Sequence, residues 1–270
     1  MNGAVHLKQS LKDIWKKMLL MGAALYLFEM LFALLATSAK IQTEMLRDVK
    51  EAPAALQKLV GEGFMDAILK YGLITFGYIH PLMFTLFILF IFTAFRQVLA
   101  AEIVSGTIGF TLSRPISRKR IYLNLAIIVY AGLAFLALVV FLSTASGIAL
   151  FHGGKLSPGH FVSLSWNLYL LMVFCAGYIA LFSYFTDSGK NFYTYSTVFL
   201  FLCYILDMAA NLWSPLKFLA PINPFSYYQP MKILTGSRVD FTQSVIILLI
   251  SGIMFFISAL LFNRRDLPNG

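Results

Sequence analysis

Six stretches of this chain are long and apolar enough to approach or exceed a bilayer crossing as helices: 18–39, 73–95, 121–151, 162–185, 192–213 and 245–262. A hydrocarbon core of about 30 Å takes roughly 20 apolar residues in helical form. In lipid the backbone N–H and C=O groups of a run this long must be satisfied within the run itself, which makes each one a helix. Charged residues make up only 12% of the chain and mean hydropathy is +0.79, whereas a soluble domain carries about 25% charged residues. Too few charges remain to cover a water-soluble globule of 270 residues. The expected fold is therefore an all-α membrane protein, a single transmembrane domain over 1–270 with six transmembrane helices and no separate soluble domain.

Two runs carry extra information. No Asp, Glu, Lys or Arg occurs between Arg120 and Lys155, so the third helix is overlong and either tilts or projects past the membrane. Ahead of the first run, Leu7, Leu11, Ile14, Trp15 and Met18 recur at helical spacing, and Lys8, Lys12, Lys16 and Lys17 fill the other face. Segment 1–17 thus reads as an N-terminal amphipathic interfacial helix with its lysines at the headgroups; the alternative is an inner extension of span 1. The first run is too long for a signal core and has no small-x-small exit, so no cleavable leader is expected.

Orientation follows from the basic residues. With a cytoplasmic N-terminus the inner segments hold 12 of the 21 lysines and arginines, concentrated in short stretches. The first outer loop, 40–70, balances five basic residues with five acidic ones. Short basic loops mark the cytoplasmic side, so both termini are expected in the cytoplasm and the chain in a prokaryotic plasma membrane. The net charge of +9 then belongs to anionic lipid headgroups, not to nucleic acid. Cys175 and Cys203 fall inside apolar runs and read as packing residues.

The outer segments are not plain loops. Pro53, Gly61 and Gly63 interrupt 40–70. Segment 213–240 holds Pro215, Pro221, Pro224 and Pro230 among Phe225, Tyr227 and Tyr228, too many prolines for a seventh straight span. It is expected to be a re-entrant or interfacial outer segment, with an ordinary exposed loop as the alternative. His80-Pro81 should kink span 2 in its outer half. No internal repeat is visible.

The inner loop between spans 2 and 3 has the most specific pattern. Ser105 or Thr107 can cap a helix, Gly106 can supply a turn, and Ile108, Phe110, Thr111 and Leu112 form a short apolar stretch in a water-facing loop. Pro115 ends that stretch, and Ser117 can cap the helix that follows, with Arg118, Lys119 and Arg120 at the headgroups. An apolar turn held out of the membrane between basic anchors suggests a docking element for a soluble partner; the alternative is a structural loop lying in the interface.

In Glu102, Gly106-Thr107, Leu112 and Pro115-Ile116-Ser117-Arg118 the chain resembles the permease subunits of type-2 ABC exporters, in order and in spacing. The segment before span 1, the six-span layout, the long first outer loop and the proline-aromatic run 221–228 are similar too. The resemblance implies a cytoplasmic coupling helix between spans 2 and 3 that rests in a groove of a cytoplasmic ABC ATPase subunit. Its coupling residues would be Glu102, Gly106, Thr107, Phe110, Leu112, Arg114, Pro115, Ser117 and Arg118. It further implies a dimer with a second permease copy or a paralogue, ATP and Mg bound on the partner ATPase with no cofactor on this chain, and export of a substrate such as a lipid, peptide or antibiotic. The chain departs from the family at Val104, where many members have an acid, and at Asn124 and Leu125, where many have a lysine.

Catalytic motifs are absent from the sequence. Gly189-Lys190 is followed by Asn191 and lacks a glycine five residues earlier, so it is not a phosphate-binding loop. No HExxH, CxxC or Gly-x-Ser-x-Gly occurs, and His152 with His160 offers at most two metal ligands. A non-catalytic permease with no metal site is the expectation. Two acids lie within apolar runs, Glu29 in span 1 and Asp207 in span 5, with Asn211 one turn beyond Asp207. They are candidates for a substrate pathway or proton site, or else hydrogen-bonded packing residues. The rival functions are a membrane-embedded enzyme built on Glu29, His80 and Asp207, and a partner-independent channel or secondary transporter.

Overall fold

The computed structural model describes residues 3–38, 40, 41, 43, 44, 47, 51, 71, 73–100, 118–153, 156, 158–185 and 189–264. Regular structure among them is entirely helical: α1 (Gly3–Leu35), α2 (Ile74–Ile79), α3 (Pro81–Phe95) running into a π-helical turn (Arg96–Ala100), α4 (Arg118–Phe151), α5 (Gly159–Phe185), α6 (Gly189–Leu212), α7 (Pro230–Leu234) and α8 (Phe241–Arg264). Among the described residues six helices are long and apolar enough to cross a membrane, with apolar windows Ser10–Leu35, Pro81–Val98, Arg120–Phe151, Gly159–Ser183, Asn191–Leu212 and Phe241–Phe262. These are spans 1 to 6, and the chain is a membrane protein. The end of the bundle where α1 starts and α8 finishes is here the terminal end; the other is the distal end.

Span 1 corrects one expectation. The lysine-bearing segment is not a separate interfacial helix, because α1 runs unbroken from Gly3 to Leu35. Nothing between Lys17 and Met18 stops a helix, and the same i, i+4 spacing serves either arrangement. Its 33 residues give about 50 Å at 1.5 Å per residue, so roughly 20 Å of helix stands beyond a bilayer core at the terminal end.

Span 2 breaks where its sequence demands. Pro81 has no N–H to offer the carbonyl of Gly77, and its ring excludes the residue before it from helical geometry. His80 accordingly turns to extended backbone, φ −70° and ψ 134°, and its Nδ1 accepts the Leu82 N–H at 3.2 Å to cap α3. The break frees the carbonyl of Tyr78, which accepts the hydroxyl of Tyr228 at 2.9 Å.

Two parallel pairs of spans form the frame. Spans 1 and 3 approach through small and hydroxylated residues. A Cβ on Gly22 would touch Phe135, and one on Gly147 would fall on Ala33. Between these points Ser143 Oγ donates to the Tyr26 carbonyl at 2.6 Å, and the Tyr26 and Ser146 hydroxyls bond at 2.8 Å. Spans 4 and 6 are joined by serines seven residues apart: Trp166 Nε1 donates to Ser244 Oγ at 3.1 Å, Ser251 Oγ to the Val173 carbonyl at 2.7 Å, and Ser258 Oγ to the Ala180 carbonyl. Lipid supplies no hydrophobic drive between helices, so close backbone approach and interhelical hydrogen bonds hold such seams. Span 5 exposes Val198, Phe201, Leu202 and Ile205 along its outer face.

Segment 213–240 packs into the distal end of the bundle. Phe225, Met231, Ile233 and Leu234 are buried. Phe225 and Tyr228 meet Phe84 of span 2 edge-on, at centroid distances of 5.9 and 5.7 Å. Asn223 Nδ2 donates to the Cys203 carbonyl at 2.9 Å, and Asn167 on span 4 bonds both the Tyr227 carbonyl and the Gln229 N–H at 3.0 Å. The prolines divide the segment into short helical turns, Ser214–Leu219, Pro224–Tyr227 and α7, and side-chain amides satisfy backbone groups left unpaired between them.

Candidate functional site

The sequence points to two places, the loop between spans 2 and 3 and the acids within the spans. Of the coupling residues, Glu102, Gly106, Thr107, Phe110, Leu112, Arg114, Pro115 and Ser117 lie outside the described residues, and Arg118 is described only as the first residue of α4. The loop's attachments are defined. Span 2 ends in the turn Arg96–Ala100, where Val98 is buried beside the extension of α1, whose Ile14 is also buried. With its amide oriented to suit both partners, Gln97 donates to the Asp13 carbonyl at 3.2 Å and accepts from Lys17 Nζ at 2.8 Å. The extension of span 1 therefore braces the base of the loop. Asn124 and Leu125, where the resembled family often has lysine, are both buried; an ammonium group there would lose its water, so the uncharged residues suit the site.

The second place is built around Glu29. It projects from span 1 between α2 and span 3 and is 0% exposed. Thr144 Oγ1 faces its Oε1 at 3.3 Å. That hydroxyl also faces the Val140 carbonyl at 3.1 Å and the Tyr78 hydroxyl at 3.1 Å. One proton cannot serve all of them, so Glu29 holds at best a shared hydrogen bond. Tyr78 continues the chain of hydroxyls to Ser165 on span 4 at 2.9 Å. Among the described residues Glu29 Oε2 has no hydrogen-bond partner, and it rests against Gly77: a Cβ built there would collide with Oε2 and lie 2.9 Å from the carboxyl carbon. An ionised carboxylate at the centre of a span costs roughly 2.5–3.5 kcal/mol or more on insertion scales, and one contested hydroxyl offsets little of that.

Of the remaining candidates, His80 lies beside Glu29's own helix, its ring 5.3 Å from Phe28 and 6.0 Å from Phe32. Asp207 accepts the Ser226 hydroxyl at 2.8 Å, so it anchors segment 213–240 to span 5, while Asn211 is exposed one turn further on. No described contact joins Asp207 to Glu29 or His80. His152 Nε2 bonds the Ala33 carbonyl at 3.2 Å, and His160 packs on Tyr71 at 5.9 Å. Among the described residues no group of three or more His, Cys, Asp or Glu side chains is arranged to hold a metal ion. An open cleft at the distal end, lined by Ala36, Thr37, Phe151, His152 and Gly153, lies about two turns beyond Glu29.

Sequence reasoning identified Glu29 but missed Gly77, Tyr78, Thr144, Ser165 and Tyr228. The available signals were the Gly77-Tyr78 pair just before His80-Pro81 and the hydroxyl-rich Ser143-Thr144-x-Ser146 inside an otherwise apolar run. Residues 61–268 match the model of a family described as a protein of unknown function, DUF2705. The chain has no match among curated proteins.

Proposed function

We propose that this chain, a member of the DUF2705 family, is the transmembrane permease subunit of an ATP-driven exporter, working with a separate cytoplasmic ABC ATPase. The observation that carries this reading is the run Glu102, Gly106-Thr107, Leu112, Pro115-Ile116-Ser117-Arg118, lying between the ends of spans 2 and 3. Six helices able to cross a membrane support it. So does the bracing of the loop's base by span 1 through Gln97, Asp13 and Lys17, because a push on the loop would be felt by spans 1 and 2 together.

In this reading the termini are cytoplasmic, ATP and Mg sit on the partner, and this chain performs no chemistry. ATP binding closes the ATPase pair, and the loop moves with it. The loop must contact the two ATPase states differently, since only a difference in contact free energy can shift the permease. A second permease copy or a paralogue completes the pathway. The test is charge reversal. Glu102→Lys or Arg118→Glu should weaken recovery of the ATPase with the purified chain by tenfold or more, about 1.4 kcal/mol. Recovery at wild-type levels in both variants would remove this loop from the account.

A further inference from the structure

The buried carboxyl of Glu29 stands apart from the proposed coupling loop and needs its own explanation. Three observations constrain what it can bind. Its Oε2 has no partner among the described residues, although the side chain is wholly buried. Oε2 packs directly on Gly77, so the space beside it is filled by backbone carbon. The hydroxyls of Thr144, Tyr78 and Ser165 form a chain that meets Glu29 only through Oε1. A metal cation would need several oxygens at about 2.3–2.6 Å around it, and among the described residues no polar atom partners Oε2, while Gly77 backbone packs against it. The ligand that needs no volume is a proton.

We propose that Glu29 is a proton-binding site, carrying its proton on Oε2 in this conformation and releasing it when α2 moves away from span 1 about the His80–Pro81 break. On release the O–H bond breaks heterolytically, the electron pair stays on the carboxylate, and the proton passes to water. A cleft at Ala36, Thr37, Phe151, His152 and Gly153 opens further along span 1, where His152 is bonded to Ala33, one turn beyond Glu29 on the same helix. The break in span 2 is the element able to yield, because Pro81 interrupts the backbone ladder there and a cap and the Tyr228 hydroxyl replace it.

The titratable groups facing the site are Tyr78 and His80 from span 2, Tyr228 from segment 213–240, and His152 from the end of span 3. No cationic side chain among the described residues acts on Glu29. The proposal does not depend on the exporter reading, so the two stand or fall separately.

The test is infrared difference spectroscopy on the full chain in lipid vesicles. The wild type should have a protonated-carboxyl C=O band that bleaches as the pH is raised while the protein stays folded. Glu29→Gln should abolish the band. Asp207→Asn and His80→Asn, which keeps a capping acceptor, should retain it. Thr144→Val should move the band to higher wavenumber, because it removes the Thr144 hydrogen bond to the carbonyl oxygen Oε1. A band that survives in Glu29→Gln overturns the proposal. So does a band in the wild type that never bleaches. Loss of the band at constant pH when sodium replaces choline would overturn it in favour of a metal ion.

Discussion

Alanine at position 77 is the most direct perturbation of the membrane-embedded carboxyl. The added methyl would coincide with Glu29 Oε2 and lie 2.9 Å from Cδ and 3.2 Å from Oε1. The carboxyl must rotate away or α2 must retreat from span 1. Overpacking of this kind costs about 1–3 kcal/mol, and loss of the shared Thr144 contact adds about 1 kcal/mol. Replacing glycine in a helix returns roughly 0.5–1 kcal/mol. The net is a destabilisation of about 2 kcal/mol, which lowers a melting midpoint by about 4–8 °C for a chain of this order of size. The assay is thermal unfolding in lipid nanodiscs of the wild type, Gly77→Ala, Glu29→Ala and the double variant. If the methyl acts through the carboxyl, Gly77→Ala should cost little or nothing in the Glu29→Ala background, a coupling of at least about 1 kcal/mol. Additive costs would refute the contact and the packing argument built on it.

Other substitutions probe the seams. Ser251→Leu inserts bulk where Ser251 meets Val173 and Gly177, and should lower the melting midpoint more than Ser251→Ala, whose cost should be near the ~0.6 kcal/mol average for interhelical hydrogen bonds in a bilayer. Tyr228→Phe leaves the Tyr78 carbonyl without its partner; an unpaired buried acceptor costs about 1–3 kcal/mol, and hydrogen exchange should quicken in 213–240 and α2 before it does in spans 4 and 6.

The number of spans, the break in span 2 and the interruption of 213–240 were legible because each rests on local chemistry: apolar length, a proline without an N–H, and closely spaced prolines. The packing of 213–240 against span 2 was not, because Phe84 lies far away in the chain. The continuity of α1 was ambiguous, since Leu7, Leu11, Ile14 and Trp15 have the same spacing whether the helix lies on a membrane or projects from it. Only the lack of a helix breaker near Lys17 distinguishes the two. The surroundings of Glu29 could not be read, because Thr144 lies 115 residues away and meets it only once spans 1 and 3 adopt their register. Ser244, Ser251 and Ser258 are an intermediate case. Their sevenfold spacing is visible in the sequence and is the repeat of a helix seam, but which helix they face depends on the fold. The loop 102–118 remains a matter of sequence resemblance joined to the described ends of spans 2 and 3.

In the proposed reading this chain is one half of an ATP-driven machine whose motor is another protein. Native mass spectrometry of the complex extracted in lipid nanodiscs from the membranes in which the chain naturally occurs tests it most directly. An exporter permease should be recovered as two permease chains with two copies of an ABC ATPase, an assembly lost on Glu102→Lys. Recovery of the chain free of any ATPase, both with ATP and without it, would rule the exporter out.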